Sequence, residues 1–128
     1  MEKKIYYHDT DCGGVVYYAN YLKYLEEART EYLLSRGIEL TKLAEKGIWF
    51  VVARVEIDYK APVHYQEKLR VSARVEEIKL STVTFFQEIR KADKTVVKAT
   101  TTLVCVGKDL RPMRVPEEIR IAVTNKTL

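Results

Sequence analysis

The chain reads as an α+β domain in which one long helix near the N-terminus precedes a run of consecutive antiparallel strands. Three observations carry this. Apolar residues recur at helical spacing between Tyr18 and Leu33, apolar and polar residues alternate strictly from Val51 to Lys60, and Thr95 to Val106 is dense in β-branched residues. Together they predict a single helix lying along one curled antiparallel sheet of about five strands.

Taken in order, Ile5 to His8 predicts a short first strand, and Asp9-Thr10-Asp11-Cys12-Gly13-Gly14 supplies turn formers and two glycines able to take positive φ. The helix follows. Tyr18, Tyr21, Leu22, Leu25, Ala28, Tyr32 and Leu33 form one stripe, with Lys23, Glu26, Glu27, Thr30 and Glu31 largely opposite, until Gly37 ends the segment. Leu40 to Lys46 predicts a second, short helix stopped by Gly47, dependent on tertiary packing for its existence.

From Val51 the period changes to two. Val51, Ala53, Val55, Ile57 and Tyr59 face one way until Pro62 interrupts, and a second strand runs over 69–76 with Leu69, Val71, Ala73 and Val75 on one face. A hairpin turn around Lys79 to Ser81 leads into Val83 to Arg90, and Ala92-Asp93-Lys94 turns the chain into a last strand over 95–106. A helix of about 17 residues is roughly 25 Å long, and strands of about 8 to 11 residues run roughly 26 to 36 Å, so the one helix can lie along the sheet. It covers the sheet only in part, which leaves an edge strand for pairing and predicts a homo-oligomer, a two-fold dimer at minimum.

Bulk properties bound the function. With 128 residues, 47% hydrophobic and 31% charged, the chain fits a single domain over 1–128 that buries its own core. No apolar run approaches the length of a membrane span and the start resembles no signal peptide, so a cytoplasmic protein without a membrane span is expected. Cys12 and Cys105 lack metal-site spacing and are read as reduced thiols. The formal charge of +4 favours an anionic partner, but the 22 basic residues are interspersed with 18 acidic ones, a balance that a phosphate-bearing small molecule explains as well as nucleic acid does.

The densest group of chemically capable residues, His8 to Gly14, sits immediately before the long helix. A helix start offers unpaired N–H groups and a partial positive charge that can stabilise an oxyanion developing on a carbonyl. A carboxylate beside such donors can attack a thioester carbonyl or deprotonate a water that does so. Asp9 and Asp11 are the candidates; two apart on an extended stretch, they point the same way, and alternation alone does not choose between them. Both residue types are also ordinary turn and cap formers at this position.

The segment from Tyr6 to Tyr21 resembles the signature of the 4-hydroxybenzoyl-CoA thioesterase group of hot-dog proteins, in particular its YbgC-like branch. That pattern, D-x-D-x-x-G-x-V-x-x-x-x-Y, is matched by Asp9, Asp11, Gly14, Val16 and Tyr21. Tyr24 to Glu31 is similar to the group's helix and Arg111 to Pro116 to its closing segment. The resemblance implies a hot-dog fold and hydrolysis of an acyl-CoA, or of an acyl carrier protein thioester, with Asp11 as the catalytic carboxylate, Asp9 structural, and backbone N–H groups around Tyr18 polarising the carbonyl. Gly13, Gly14, Val15, Tyr17, Tyr18, Asn20 and Tyr21 would line the substrate site, and Lys79 and Ser81 would contact the coenzyme A nucleotide. It also implies a tetramer, a dimer of dimers, and no nucleic-acid partner. No metal or redox cofactor is called for, coenzyme A entering only as part of the substrate. The chain departs from many YbgC-like members in carrying Tyr18 where they carry His, so an imidazole role cannot be transferred there.

Other readings are weaker. Cys12 beside His8 lacks a third, orienting group. His64 reads as a solvated loop residue. Glu26 reads as satisfying buried polar groups near the helix start, and Glu27 as facing solvent. An enoyl-thioester hydratase would want a His–carboxylate pair at the helix entry, which Tyr18 denies, and a non-catalytic acyl-CoA binding protein would bind esters without releasing thiol.

Overall fold

Helix α1, Asn20–Ser35, buries Tyr21, Tyr24, Leu25, Ala28, Arg29 and Leu33, a stripe at three- and four-residue spacing. The predicted stripe is trimmed at its start: Tyr18 lies before the helix at 62% exposure, and Leu22 is 44% exposed. Gly37 takes φ +78° and its N–H bonds to the Leu34 carbonyl while that of Ile38 reaches Leu33, closing the C-terminus as a glycine allows. The computed structural model describes residues 1–124.

Helix α2, Leu40–Glu45, follows and pins Leu43 into the interior. The sheet comprises β1 (Glu2–Lys4), β2 (Trp49–Tyr59), β3 (Lys68–Val71), β4 (Arg74–Ile78), β5 (Thr82–Lys91) and β6 (Lys94–Val106), all pairs antiparallel. Its order is β1-β3-β5-β6-β2, with β4 also paired to β5. Register shifts at Val52/Arg54, Val75/Glu77 and Ile89/Arg90 add local twist, as bulges do. One long helix on an antiparallel sheet is the hot-dog arrangement that the resemblance implies.

Three expectations are corrected. The first strand is Glu2–Lys4, not Ile5 to His8; Tyr7–Asp9 forms a single 3₁₀ turn because the Asp9 carboxylate captures the Tyr6 N–H at 2.9 Å, a local bond that competes with a ladder. The strand predicted over 69–76 is two strands, making six in the sheet. Ser72 breaks it, its N–H donating to the Glu88 carbonyl and its Oγ accepting the Glu88 N–H. Finally, a third helix, α3 (Glu117–Thr124), packs Ile119 and Val123 into the core, and its two leading glutamates complement the helix dipole.

The core has two parts. Under the first half of α1, Ile5, Tyr24, Leu25, Val63, Ile89 and Val97 pack together. Under its second half, Leu33, Leu43, Phe85, Leu103, Cys105 and Ile119 do so. At the boundary Arg29 Nη1 donates to Gln87 Oε1 at 3.1 Å, and Gln87 Nε2 donates to the Leu25 carbonyl at 3.0 Å. Burial, opposed by the neighbouring Glu26, lowers the pKa of Arg29. Such a buried, hydrogen-bonded pair fixes the register of α1 on β5, since any slip would strand its polar groups. No helix among the described residues is long and apolar enough to cross a membrane.

Candidate active site

The 3₁₀ turn separates the two aspartates. Asp9 is 2% exposed and turned inward, whereas Asp11 is exposed on the far side of the bend. The expectation that they point the same way fails because the turn ends at Asp9 and breaks the two-residue alternation. Asp9 organises the loop: its carbonyl accepts the Tyr17 N–H at 3.0 Å and Asn20 Nδ2 at 2.9 Å. Burial opposes the Asp9 charge, yet the Tyr6 N–H, the Tyr24 hydroxyl, His8 and Lys3 together hold its pKa below the ordinary value. The Tyr24 hydroxyl lies beside this carboxylate without closing a well-formed hydrogen bond.

Asp11 sits in a tight turn, with the Gly14 N–H donating to its carbonyl at 3.1 Å and the Gly13 N–H to its Oδ1 at 2.8 Å. A Cβ on Gly13 would meet that oxygen at 3.2 Å, and Gly14 takes φ +79°, so both glycines serve the turn. At the start of α1 the N-cap is Ala19, which supplies no side-chain cap. Among the described residues, the N–H groups of Tyr18 and Ala19 have no acceptor, while those of Tyr17, Asn20, Tyr21 and Leu22 do. Two free donors at the positive end of a helix can receive an anionic oxygen.

Beside them an open cleft of about 360 Å3 is lined by Val15, Val16, Tyr18, Tyr21, Tyr59 and the segment 60–62. Tyr59 packs edge-on against Tyr18 at 6.2 Å and tilted against Tyr21 at 5.7 Å. Burial, then Tyr59 and Glu67, push the Tyr21 hydroxyl up to about 12, so it stays a neutral donor. Tyr59 was not among the residues singled out from the sequence; its signal is its place at the end of an alternating strand just before Pro62.

Val15, Tyr18 and Tyr21 therefore come together at the cleft, with Gly13 and Gly14 in the adjoining turn. Tyr17 packs tilted against Tyr18 at 5.0 Å without lining the cleft, and Asn20 braces Asp9. Lys79 and Ser81 are not brought there. Their turn adjoins Thr82, which lies opposite Val104 and so Val51, eight residues along β2 from Tyr59, or roughly 26 Å. Arg120 Nη2 donates to the Lys79 and Leu80 carbonyls.

The weaker readings also find their places. His8 stacks on Tyr6 at 6.0 Å with Nε2 3.9 Å from Asp9, which leaves it no contact with Cys12 among the described residues. Glu26 is exposed, outside the buried stripe of α1, and its charge acts on the buried Arg29 rather than on groups at the helix start. Glu27 is exposed as expected and lies 3.6 Å from Lys3. His64 is exposed in the segment between β2 and β3, as expected, and there it pairs with Val15 and lies 3.2 Å from Glu67. Among the described residues no three or more His, Cys, Asp or Glu side chains gather as metal ligands would.

The sequence profile of the thioesterase-like superfamily matches residues 6–123. The chain belongs to that superfamily. The acyl-CoA thioesterase YbgC of Haemophilus influenzae is 39% identical over 122 residues, covering 93% of this chain and 89% of that protein. The acyl-CoA thioester hydrolase YbgC of Escherichia coli is 32% identical over 118 residues, 91% of this chain and 88% of that one. The crystal structure of a 1,4-dihydroxy-2-naphthoyl-CoA thioesterase from Synechocystis matches with a TM-score of 0.91 at 25% identity, covering 98% of this chain and 95% of the other. With these relatives, this member of the superfamily is a thioester hydrolase.

Proposed function

We propose that the substrate is an acyl-CoA with a short, medium or aromatic acyl group, cleaved to free acid and coenzyme A with Asp11 as the working carboxylate. The observation that carries this reading is the pairing of an exposed carboxylate, held by its own turn, with two acceptor-free N–H groups at the start of α1. The thioester oxygen lies against the Tyr18 and Ala19 N–H groups, which stabilise the charge it gains when the carbonyl is attacked. Asp11 attacks the carbon itself or takes the proton of an attacking water; both routes need it ionised and exposed. Tyr18, Tyr21 and Tyr59 give the cleft an aromatic wall for the acyl group.

Thiol release from a panel of aliphatic and aromatic acyl-CoAs, with an acyl carrier protein thioester alongside, tests the assignment. Turnover of at least one CoA ester, faster than that of the carrier protein ester, is the expected result. Saturable binding of CoA esters with no thiol released by the wild type would replace the reading with that of a binding protein.

The same reading extends to a second copy of the chain. Strand β2 ends the sheet order and exposes Trp49, Val51 and Val52, an apolar edge suited to pairing with itself. Antiparallel pairing of β2 with its copy sets the Trp49 end of one chain beside the Tyr59 end of the other. The copy's Lys79 and Ser81 then lie at the same end of the sheet as Asp11, which offers the nucleotide phosphates a further cation beside the cleft's own Lys60. Sedimentation equilibrium is expected to give twice the chain mass or a multiple of it, and Val52→Asp to shift the protein toward the monomer. A monomeric wild type with full activity would dismiss the pairing.

A further inference from the structure

Three chain segments lie side by side at the cleft. Thr10 pairs with Val16, and the Asp11 N–H donates to the Val15 carbonyl at 2.9 Å, which sets Asp11 opposite Val15. Val15 in turn pairs with His64, with the Val16 N–H on the Val63 carbonyl at 2.8 Å and the Tyr65 N–H on the Gly14 carbonyl at 3.4 Å. Asp11, Val15 and His64 thus share one rung, and side chains on a rung leave the sheet on the same face. At about 5 Å per step, the Asp11 and His64 backbones are about 10 Å apart, room for a thioester above Val15.

The imidazole is held for use. Glu67 Oε1 accepts the His64 N–H at 2.7 Å and lies 3.2 Å from His64 Nδ1, while Lys91 Nζ lies 3.2 Å from Glu67 Oε2 and also reaches the Pro62 carbonyl at 3.3 Å. Burial opposes the Glu67 charge, but the His64 N–H, Lys91 and the His64 ring keep its carboxyl below the ordinary value, so it is an acceptor at neutral pH. Glu67 Oε1 is thus placed to accept a proton carried on Nδ1, while Nε2 has no partner among the described residues in a side chain that is 57% exposed. A carboxylate that orients one imidazole nitrogen and frees the other is the arrangement general acid–base catalysis uses.

We infer that His64, oriented by Glu67 and Lys91, is the proton donor to the departing thiol in this site. The step is common to both modes of attack by Asp11. When the tetrahedral adduct collapses, the C–S bond breaks, its electron pair goes to sulfur, and the imidazolium form of His64 passes its Nε2 proton to that sulfur to give the free thiol, leaving the neutral ring with its Nδ1 proton toward Glu67. The proton lost by the attacking water is held at Asp11 and returns to His64 through solvent, so that one water is consumed and acid and thiol are formed. Glu67 and Lys91 are positioning residues.

The inference rests on the thioesterase reading, and leaving-group dependence separates the two. One acyl group is presented as its CoA ester, its N-acetylcysteamine ester and its nitrothiophenyl ester, the last with a far less basic thiolate that leaves unaided. His64→Gln should lower kcat/KM by about 10- to 100-fold on the first two esters and by less than about threefold on the third. Added imidazole should restore part of the activity of His64→Ala, as its exposed site permits. An equal loss on all three esters, or no loss on any, overturns the donor role while wild-type turnover keeps the thioesterase reading intact; no turnover by the wild type overturns that reading itself.

Discussion

Asp11→Asn should lower kcat by about 10³-fold or more while leaving substrate affinity and thermal stability close to those of the wild type. The loop does not depend on the charge: an asparagine Oδ1 can still accept the Gly13 N–H, and the remaining bonds of the turn are backbone to backbone. What is lost is the ionised carboxylate, whether it attacks or deprotonates. General-base and nucleophilic groups contribute on the order of 10² to 10⁴ in rate, and a thousandfold loss corresponds to about 4 kcal/mol of transition-state stabilisation. The Tyr18 and Ala19 N–H groups stay in place, so a residual rate above the uncatalysed one should persist. Thiol release under saturating acyl-CoA gives kcat, and titration of a non-hydrolysable analogue gives affinity. Equal activity in the two proteins would remove Asp11 from the mechanism and turn attention to Cys12, exposed in the same loop, or Glu26 on α1.

The split between what the sequence reveals and what it hides follows the range of the forces involved. Periodicity reports burial averaged over a whole element, so α1, β2, β5 and β6 were legible as elements of ten or more residues, although in β2, broken by the shift at Val52/Arg54, the expected face is only half-buried at Val55 and Ile57 and is exposed at Val51, Ala53 and Tyr59. Gly37 and Gly47 marked helix ends correctly because their positive φ is a local need. Bonds from a single side chain escaped. Nothing in the alternation around Leu69 to Glu76 says that Ser72 will bond to Glu88 across the sheet and divide the strand. The 3₁₀ turn at Tyr7–Asp9 likewise depends on one carboxylate finding the Tyr6 N–H.

The turn on which the candidate site is built was legible at Asp11 and its glycines, because a carboxylate, a turn and a helix start are sequence neighbours. The pairing of His64 with Val15 and the distance of Lys79 from Asp11 are matters of topology, fixed only when the strands choose their order. Helix α3 was the one element with an unread local signal. Pro116, the acidic pair Glu117 and Glu118, and Ile119 with Ala122 and Val123 at three- and four-residue spacing spell a helix start and its apolar face.

Asp9→Ala should cost about 2 to 4 kcal/mol of folding stability and most of the activity together, in contrast to the change at Asp11. The substitution leaves the Tyr6 N–H, in a part-buried bond, without its acceptor and the buried Tyr24 hydroxyl beside an apolar methyl. Its effect on turnover is indirect: the Asp9 carbonyl holds Asn20 and the Tyr17 N–H, one residue before the Tyr18 N–H proposed to face the oxyanion, and a loop that shifts here would misplace that donor. Asp9 has an ordinary pKa of 3.8 and a lower one in the fold, so its contribution is complete above about pH 4 to 5 and is lost as pH falls through the folded value. Denaturant unfolding of the two proteins from pH 7 down to pH 2 should therefore give a stability difference that is constant near neutrality and narrows in acid. Glu67, depressed in the same direction, continues to destabilise both proteins alike as pH drops. A difference that did not narrow would mean that Asp9 stabilises by shape and not by charge, and an Asp9→Ala protein of normal stability and turnover would show that the loop is held without it.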